Sequence, residues 1–274
     1  LGDEPLPHQP DLSVEGASAE QGEQLVLTGF AKNPKGSETT KQSAHFVCTS
    51  CHNIQREEPD LSTTDAQVRL EYVKENGLPF LQGSPLYGVV NRSSYYNGDY
   101  DKKYGDLVEK ARNDLREAVQ LCATECAQGR ALAPWEMESI LAYLWTIDLK
   151  LKDLILSEKE YAMINDALTK NTNQQATIDL IKSKYMDHSP ATFVTPPDDR
   201  KAGFEDITGD PANGKLIYEL SCLHCHEDQR YSFFELDNSQ LTFQHLTKHF
   251  LATPAIQSIR SVVGVLRLYP AKRP

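Results

Sequence analysis

The chain has 274 residues, 39% apolar and 8% aromatic, with 15 Gly and 15 Pro, a size that suits two modest domains better than one large one. Lys and Arg number 28 against 39 Asp and Glu, a formal net charge of -11. That balance argues against a nucleic-acid partner, and a protein partner would answer it with a basic docking patch unless the charge serves only solubility.

No window approaches the roughly 18 uninterrupted apolar residues of a membrane-spanning helix. The first residues, Leu1-Gly-Asp-Glu-Pro-Leu-Pro-His-Gln-Pro, have neither the basic start nor the apolar stretch of a signal peptide. The chain therefore reads as mature or as supplied without its leader.

Taken in chain order, Ser18-Ala-Glu-Gln21 offers a capping box for a helix carrying Leu25, Val26 and Leu27. Cys48-Thr-Ser-Cys51-His52 comes next. Thr64-Asp-Ala-Gln67 predicts a capped helix through Glu75 that stops at Asn76-Gly77. A loop then runs through Gly83-Ser-Pro-Leu-Tyr-Gly88 and the Asn97-Gly98 turn. Residues 106–121 read as one helix, with Leu107, Val108, Ala111, Leu115, Ala118 and Val119 on its apolar face. Cys122 and Cys126 stand at its end. Pro134-Trp135-Glu136 opens another helix, with Met137, Ile140, Leu141, Leu144 and Trp145 spaced to pack one face.

Residues 148–200 read as a connector with two short helices, Ser157 to Lys170 and Gln174 to Tyr185, whose apolar faces would brace two domains. Pro196-Pro197-Asp-Asp-Arg200 ends it as an extended polar boundary. Asp210-Pro211 then places a capping carboxylate and a first-turn proline before a helix to Leu220, which leads into Cys222-Leu-His-Cys225-His226. The two C-x-x-C-H segments thus each follow a Gly-containing helix, which suggests two copies of one domain type.

The six cysteines fall in three pairs, and two pairs end in His. C-x-x-C-H is the spacing at which two thiols form thioethers with the two vinyl groups of haem while the adjacent imidazole takes the iron. The expectation is two covalently bound haem c groups. Cys48, Cys51, Cys222 and Cys225 are the attachment residues, and His52 and His226 the proximal iron ligands. A zinc site built from two C-x-x-C pairs, or a redox dithiol, are the alternatives, but zinc does not require His after both. Covalent haem implies maturation outside the bacterial cytoplasmic membrane, hence a periplasmic or extracytoplasmic location.

The fold class expected is all-α, with two cytochrome c-like helical domains joined by a helical connector. The first domain takes residues 1–150, the connector 151–205, and a second, short or incomplete domain 206–274. His224 is read as a spacer.

The ligand across each iron is less directly written. An ordinary small cytochrome uses Met, and here only Met137, Met163 and Met186 exist, none after the second motif. For the second haem the candidates are His245 and His249, four apart on one helix face, with Lys248 beside them. A plain surface pair is the alternative. For the first haem, Cys122 lies where a distal ligand is expected. Cys122 and Cys126 also read as a local disulfide or as two buried thiols.

Several stretches of the first half resemble the diheme thiosulfate dehydrogenases and the related diheme A subunit of the Sox sulfur-oxidising system. They are Gly22-Glu-Gln-Leu-Val26, Pro34-Lys-Gly36, residues 48–53, Pro85-Leu-Tyr-Gly88, Cys122-Ala-Thr-Glu-Cys126-Ala-Gln-Gly-Arg130 and Trp135-Glu-Met-Glu-Ser-Ile-Leu-Ala-Tyr-Leu-Trp145. The resemblance implies Cys122 as distal ligand and catalytic thiolate of the first haem, with a small sulfur compound such as thiosulfate as substrate. The chain also departs from that family. The family carries basic and small residues where this chain has Ala123-Thr124-Glu125-Cys126, and the segment from Gln82 to Leu107 is longer. Both changes touch the substrate side.

The favoured reading is an electron carrier between redox partner proteins. Oxidation of a small sulfur compound at the first haem is the second reading, and a subunit of a larger membrane complex the third.

Overall fold

A computed structural model describes residues 6–189, 197–199, 203–204 and 208–227. The described residues form an all-α structure, in which isolated bridges such as Lys32 with Glu38 and Ser94 with His188 are the β contacts. No described helix is long and apolar enough to cross a membrane.

The organising contact is a crossing of two helices far apart in sequence, α1 (Ala19–Thr28) and α6 (Pro134–Leu144). Gly22 makes the crossing close. A Cβ there would overlap the Ser139 carbonyl, so the two backbones touch where any side chain would hold them apart. Ser18 caps α1 with its Oγ on the Gln21 amide at 3.2 Å, while its own amide bonds Ser139 Oγ at 3.1 Å. Gln21 leaves the expected capping box and accepts instead from the Lys32 amide at 2.9 Å. Leu25 and Val26 enter the core and Leu27 faces solvent.

The core continues through Val89, Val90, Tyr95, Val108, Leu115, Leu121, Ile140, Leu141 and Leu144. Each large aliphatic side chain there contributes about 1.5–3 kcal/mol through burial.

Helix α6 is predicted to pack one face, but every residue from Glu136 to Leu144 is buried, Met137 among them. Its two carboxylates are tolerated inside because each meets an arginine. Arg130 holds Glu136 at 2.5 and 2.7 Å, and Arg116 holds Glu138 at 2.7 and 2.8 Å.

Several local expectations are corrected. Helix α2 (Ala66–Glu75) is capped by Asp65, not Thr64. The Asp65 carboxylate takes both the Gln67 and Val68 amides at 2.9 Å, and an ionised acceptor outcompetes the hydroxyl beside it.

The single helix expected over 106–121 is broken. Tyr100–Tyr104 forms α3, Val108–Ala111 forms α4, and Leu115–Leu121 forms α5. Asp114 interrupts the run by bonding the Arg116 amide at 2.8 Å and the Glu117 amide at 3.3 Å, an N-cap inside an apolar periodicity.

The two C-x-x-C-H segments are also not preceded alike. Residues 29–47 separate α1 from Cys48, whereas α9 (Pro211–Ile217) continues through a π-turn and a last helical turn directly to His226.

The connector helices are α7 (Glu158–Lys170), capped by Ser157, and α8 (Gln174–Lys182), which stops short of Tyr185. Lys184 joins Glu160 at 2.6 Å. The chain beyond α8 is tied to the first half of the molecule. Met186 N bonds Leu61 O at 2.7 Å, Ser93 N bonds Asp187 O at 2.6 Å, and Ser189 N bonds Ser94 O at 3.1 Å. Of the expected boundary at residues 196–200, only 197–199 lie within the described residues.

Candidate haem-attachment site

Cys48 opens a 3-10 turn, Cys48–Ser50, closed by the Cys51 and His52 amides on the Cys48 carbonyl at 3.1 and 3.0 Å. The loop after α2 is folded against it. Gly83 N bonds Cys51 O at 2.8 Å and Leu86 N bonds Asn53 O at 2.7 Å. A buried group fixes the loop from behind. Glu57 accepts from Asn53 at 2.5 Å and from Arg69 at 2.7 Å, while Arg69 reaches Leu81 O at 2.5 Å and lies 4.7 Å over the Phe80 ring.

This arrangement prepares His52. Its Nδ1 lies 2.6 Å from the Ser84 carbonyl, which requires the proton on Nδ1 and leaves the Nε2 lone pair as the donor. Burial lowers the basicity of His52 first of all. The Ser84 carbonyl opposes that, and Arg92 and Arg69 add to it, so the ring is held in the neutral form that ligates metals. Gly83 lies flush on the imidazole, where a Cβ would overlap Cε1, Nδ1 and the Cys51 carbonyl. Arg92 is buried behind the same loop and donates to Ser84 Oγ at 3.0 Å and Pro85 O at 3.3 Å.

Burial pushes the Cys48 thiol up to about 11. Cys51 rises to about 12, through burial first and then its neighbours Cys225, Cys126 and Cys48, against a hydrogen bond from Gln82 at 3.0 Å. Without a bound group, both thiols are held in the neutral form. A neutral imidazole of fixed tautomer following two neutral thiols at C-x-x-C spacing is a donor set that fits covalent haem. Among the described residues no three His, Cys, Asp or Glu side chains converge on a metal-ion position. A C-x-x-C-H segment offers one metal donor and reserves its sulfurs for the porphyrin.

The Cys122 segment is brought to the same place. After α5 the helix widens into a π-turn over Cys122–Cys126, closed by Ala127 N on Cys122 O at 2.9 Å, a distortion that recurs at functional sites. Residues just ahead of Cys48 clamp this turn and the chain leaving it. Gln42 Nε2 bonds Ala123 O and Arg130 O, both at 3.0 Å, and Ser43 Oγ bonds Ala127 O at 2.6 Å. Gly129 permits the approach, since a Cβ there would overlap Gln42. Cys122 consequently neighbours Cys48 and Cys51 electrostatically.

Cys122 and Cys126 are thiols in hydrogen-bond contact, and no disulfide joins them. Three tyrosines stand around Cys126. Tyr104 Oη lies 3.2 Å and Tyr96 Oη 3.8 Å from its sulfur, and Tyr100 packs on both rings at 5.0 and 6.0 Å. Donation from Cys122, then from Tyr104 and Tyr96, with Lys103 nearby, draws the Cys126 thiol down to about 6, against the partial desolvation of a sulfur packed beside the tyrosines in a residue that is otherwise exposed. Cys122, the donor in that pair, is pushed up. Tyr96 holds its place with φ at +51, a left-handed conformation that costs a bulky side chain about 1–3 kcal/mol.

The second C-x-x-C-H lies beside the first. Leu220 O accepts from Phe80 N at 3.0 Å, Asn213 Nδ2 bonds Gln67 Oε1 at 2.9 Å, and Cys225 is close enough to Cys51 to raise its pKa. Cys222 is pushed up to about 12, by burial and then by Cys225. His224 and His226 share the last turn of that helix. His245, Lys248 and His249 lie outside the described residues.

Sequence reasoning singled out all six cysteines and both proximal histidines but not Gln42, Gly83, Ser84, Arg92, Tyr96 or Tyr104. A signal did exist for the tyrosines. Tyr96, Tyr100 and Tyr104 recur every fourth residue within the long segment 82–107, the spacing of a helical stripe.

No protein-family model matches the chain, and searches of curated proteins and of solved structures find no match.

Proposed function

We propose that this chain is a dihaem c-type cytochrome of two cytochrome c-like domains, located outside the cytoplasm, which passes electrons between redox partner proteins. Cys48, Cys51 and His52 hold one haem, and Cys222, Cys225 and His226 the other. The haems supply one-electron chemistry at iron. The protein's part is to fix ligand tautomer, orientation and separation. Ser84 keeps the His52 proton on Nδ1, and Gly83 and Arg92 keep that carbonyl in position.

The observation that carries the reading is the contact between the two attachment segments, with Leu220 bonded to Phe80 and Cys225 beside Cys51. Two independent binding sites would have no need of that contact, whereas electron transfer between centres is favoured by attachment segments held side by side. The net charge of -11 suits partners that dock through a basic patch or sit within a larger membrane complex.

A second reading, oxidation of a small sulfur compound such as thiosulfate at the first haem, is favoured by one feature. Cys122 is held beside Cys48 and Cys51 by the Gln42 and Ser43 clamps, where a thiolate could take the distal position of iron.

Expression with a c-type maturation system tests both readings. Alkaline pyridine spectra are expected to give two haems per chain, falling to one in Cys48→Ala/Cys51→Ala and to one in Cys222→Ala/Cys225→Ala. A chain that binds no haem overturns both readings. Reduction of the haems by thiosulfate that is lost in Cys122→Ala would select the enzyme, and two haems indifferent to thiosulfate would select the carrier.

A further inference from the structure

Cys126 is left without a task by two attachment motifs and one candidate distal ligand, yet its surroundings are the most specialised around any thiol in the molecule. Cys122 and Cys126 sit one helical turn apart on a π-turn and are already in hydrogen-bond contact. Their hydrogen-bond contact already sets the two sulfurs side by side, and a disulfide between them requires Cβ atoms about 3.5–4.5 Å apart. The two sulfurs differ in access. Cys126 is exposed, whereas Cys122 is only partly accessible and turned toward Cys48 and Cys51. The hydroxyls of Tyr104 and Tyr96 approach Cys126 from α3 and the loop before it. Gln42 and Ser43 hold the backbone of the turn, so the pair stays together without a covalent link.

We propose that Cys122 and Cys126 are a reversible thiol–disulfide couple, in which exposed Cys126 accepts a low-molecular-weight disulfide and Cys122 resolves the adduct. In the first step Cys126 sulfur bonds one sulfur of the small disulfide RSSR, its S–S bond breaks, and one RSH leaves carrying the Cys126 proton. In the second, Cys122 sulfur bonds Cys126 sulfur, the mixed disulfide breaks, and a second RSH leaves with the Cys122 proton. The dithiol loses two electrons and two protons, and RSSR gains both. The couple does not depend on haem. Its consequence does rest on the proposed function, because a Cys122 held in the disulfide is withdrawn from any iron it would ligate.

The test uses the full chain as purified from a c-type maturation strain. It is equilibrated in mixtures of reduced and oxidised glutathione, trapped with iodoacetamide and digested with trypsin. Cleavage after Arg116 and Arg130 yields a peptide, residues 117–130, that contains Cys122 and Cys126 and no other cysteine. The expected result is complete passage of this peptide from dialkylated to internally disulfide-bonded as oxidised glutathione rises, with full return under dithiothreitol. Cys122→Ser is expected to accumulate the glutathione adduct on Cys126, and Cys126→Ser to show no adduct at Cys122 under the same conditions. A peptide that stays dialkylated in oxidised glutathione overturns the proposal, as does a stable adduct that Cys122 never resolves. Haem content is measured on the same samples. A disulfide that forms in a chain without haem keeps the couple and removes the proposed function, and two haems with an inert peptide do the reverse.

Discussion

The two C-x-x-C-H segments carry one signature on two different backbones. The first is a tight 3-10 turn reached after a long loop, and nearly everything that orients it comes from elsewhere. The Ser84 carbonyl accepts the hydrogen bond from His52 Nδ1, Arg69 and Glu57 hold the loop that carries Ser84, and Gln42 and Ser43 bring in the Cys122 turn. The second ends a continuous helix that begins at an Asp210 cap with Pro211 in its first turn. Its described ties to the rest of the molecule run through Gln67, Phe80 and the neighbouring cysteines. The same five-residue pattern can thus be presented by tertiary clamps or by local helical geometry. The clamped version has the wider set of partners on which a distal side can be built.

That contrast is open to direct attack. The largest effect is expected from Arg130→Ala, which strands the Glu136 carboxylate, 1% exposed, in the core and loosens the Cys122 turn. Stability falls by about 3 kcal/mol in chemical denaturation, and the conservative Arg130→Lys recovers only part because it cannot grip both oxygens. Next is Gly83→Ala, whose added methyl meets the His52 ring. A loss of about 1–3 kcal/mol is expected, with haem content at the first site falling and at the second unchanged. An equal loss at both sites would mean that the two are not separately supported.

Asp210→Ala strikes the other side. It removes the acceptor of the Ala212 and Asn213 amides, both at 3.0 Å, for about 1 kcal/mol, and lowers attachment at Cys222 and Cys225 alone.

The smallest effect concerns Glu58, which burial raises from 4.5 to about 7 in spite of Arg69. A carboxyl raised on folding costs nothing below its unfolded pKa, where both states are protonated. It destabilises progressively from there up to the folded pKa as the unfolded chain ionises first. Denaturation midpoints should therefore fall between pH 4.5 and 7 on its account. Glu58→Gln should flatten that slope by on the order of 1 kcal/mol or less, since the group is partly solvated. A slope unchanged in the variant would locate the pH dependence elsewhere.

How much of this was legible differs from residue to residue. The start of α6 at Pro134, the Asp210–Pro211 start and the stop at Asn76-Gly77 are all read from nearest neighbours, and the structure keeps them. The break at Asp114 was equally local. It was hidden because the apolar period runs straight through it, and a sustained period outweighs one capping residue. The difference in lead-in to the two motifs escaped for another reason. A loop of residues 29–47 has no period, and its course is set by Gln42 and Ser43 meeting a segment about eighty residues later.

By itself the sequence determined the helical class, the helix starts at Ser18, Pro134 and Asp210 and the residues whose chemistry matters, because caps, thiol spacing and an adjacent imidazole are local facts. Only the tertiary structure decided that His52 donates to Ser84, that Cys122 faces Cys48 and Cys51, that tyrosines stand around Cys126, and that Cys225 stands by Cys51. Those are contacts between segments tens to more than a hundred residues apart. They come from which backbones approach closely enough at glycine and from which buried polar groups must find partners, and neither is written in any one stretch of chain.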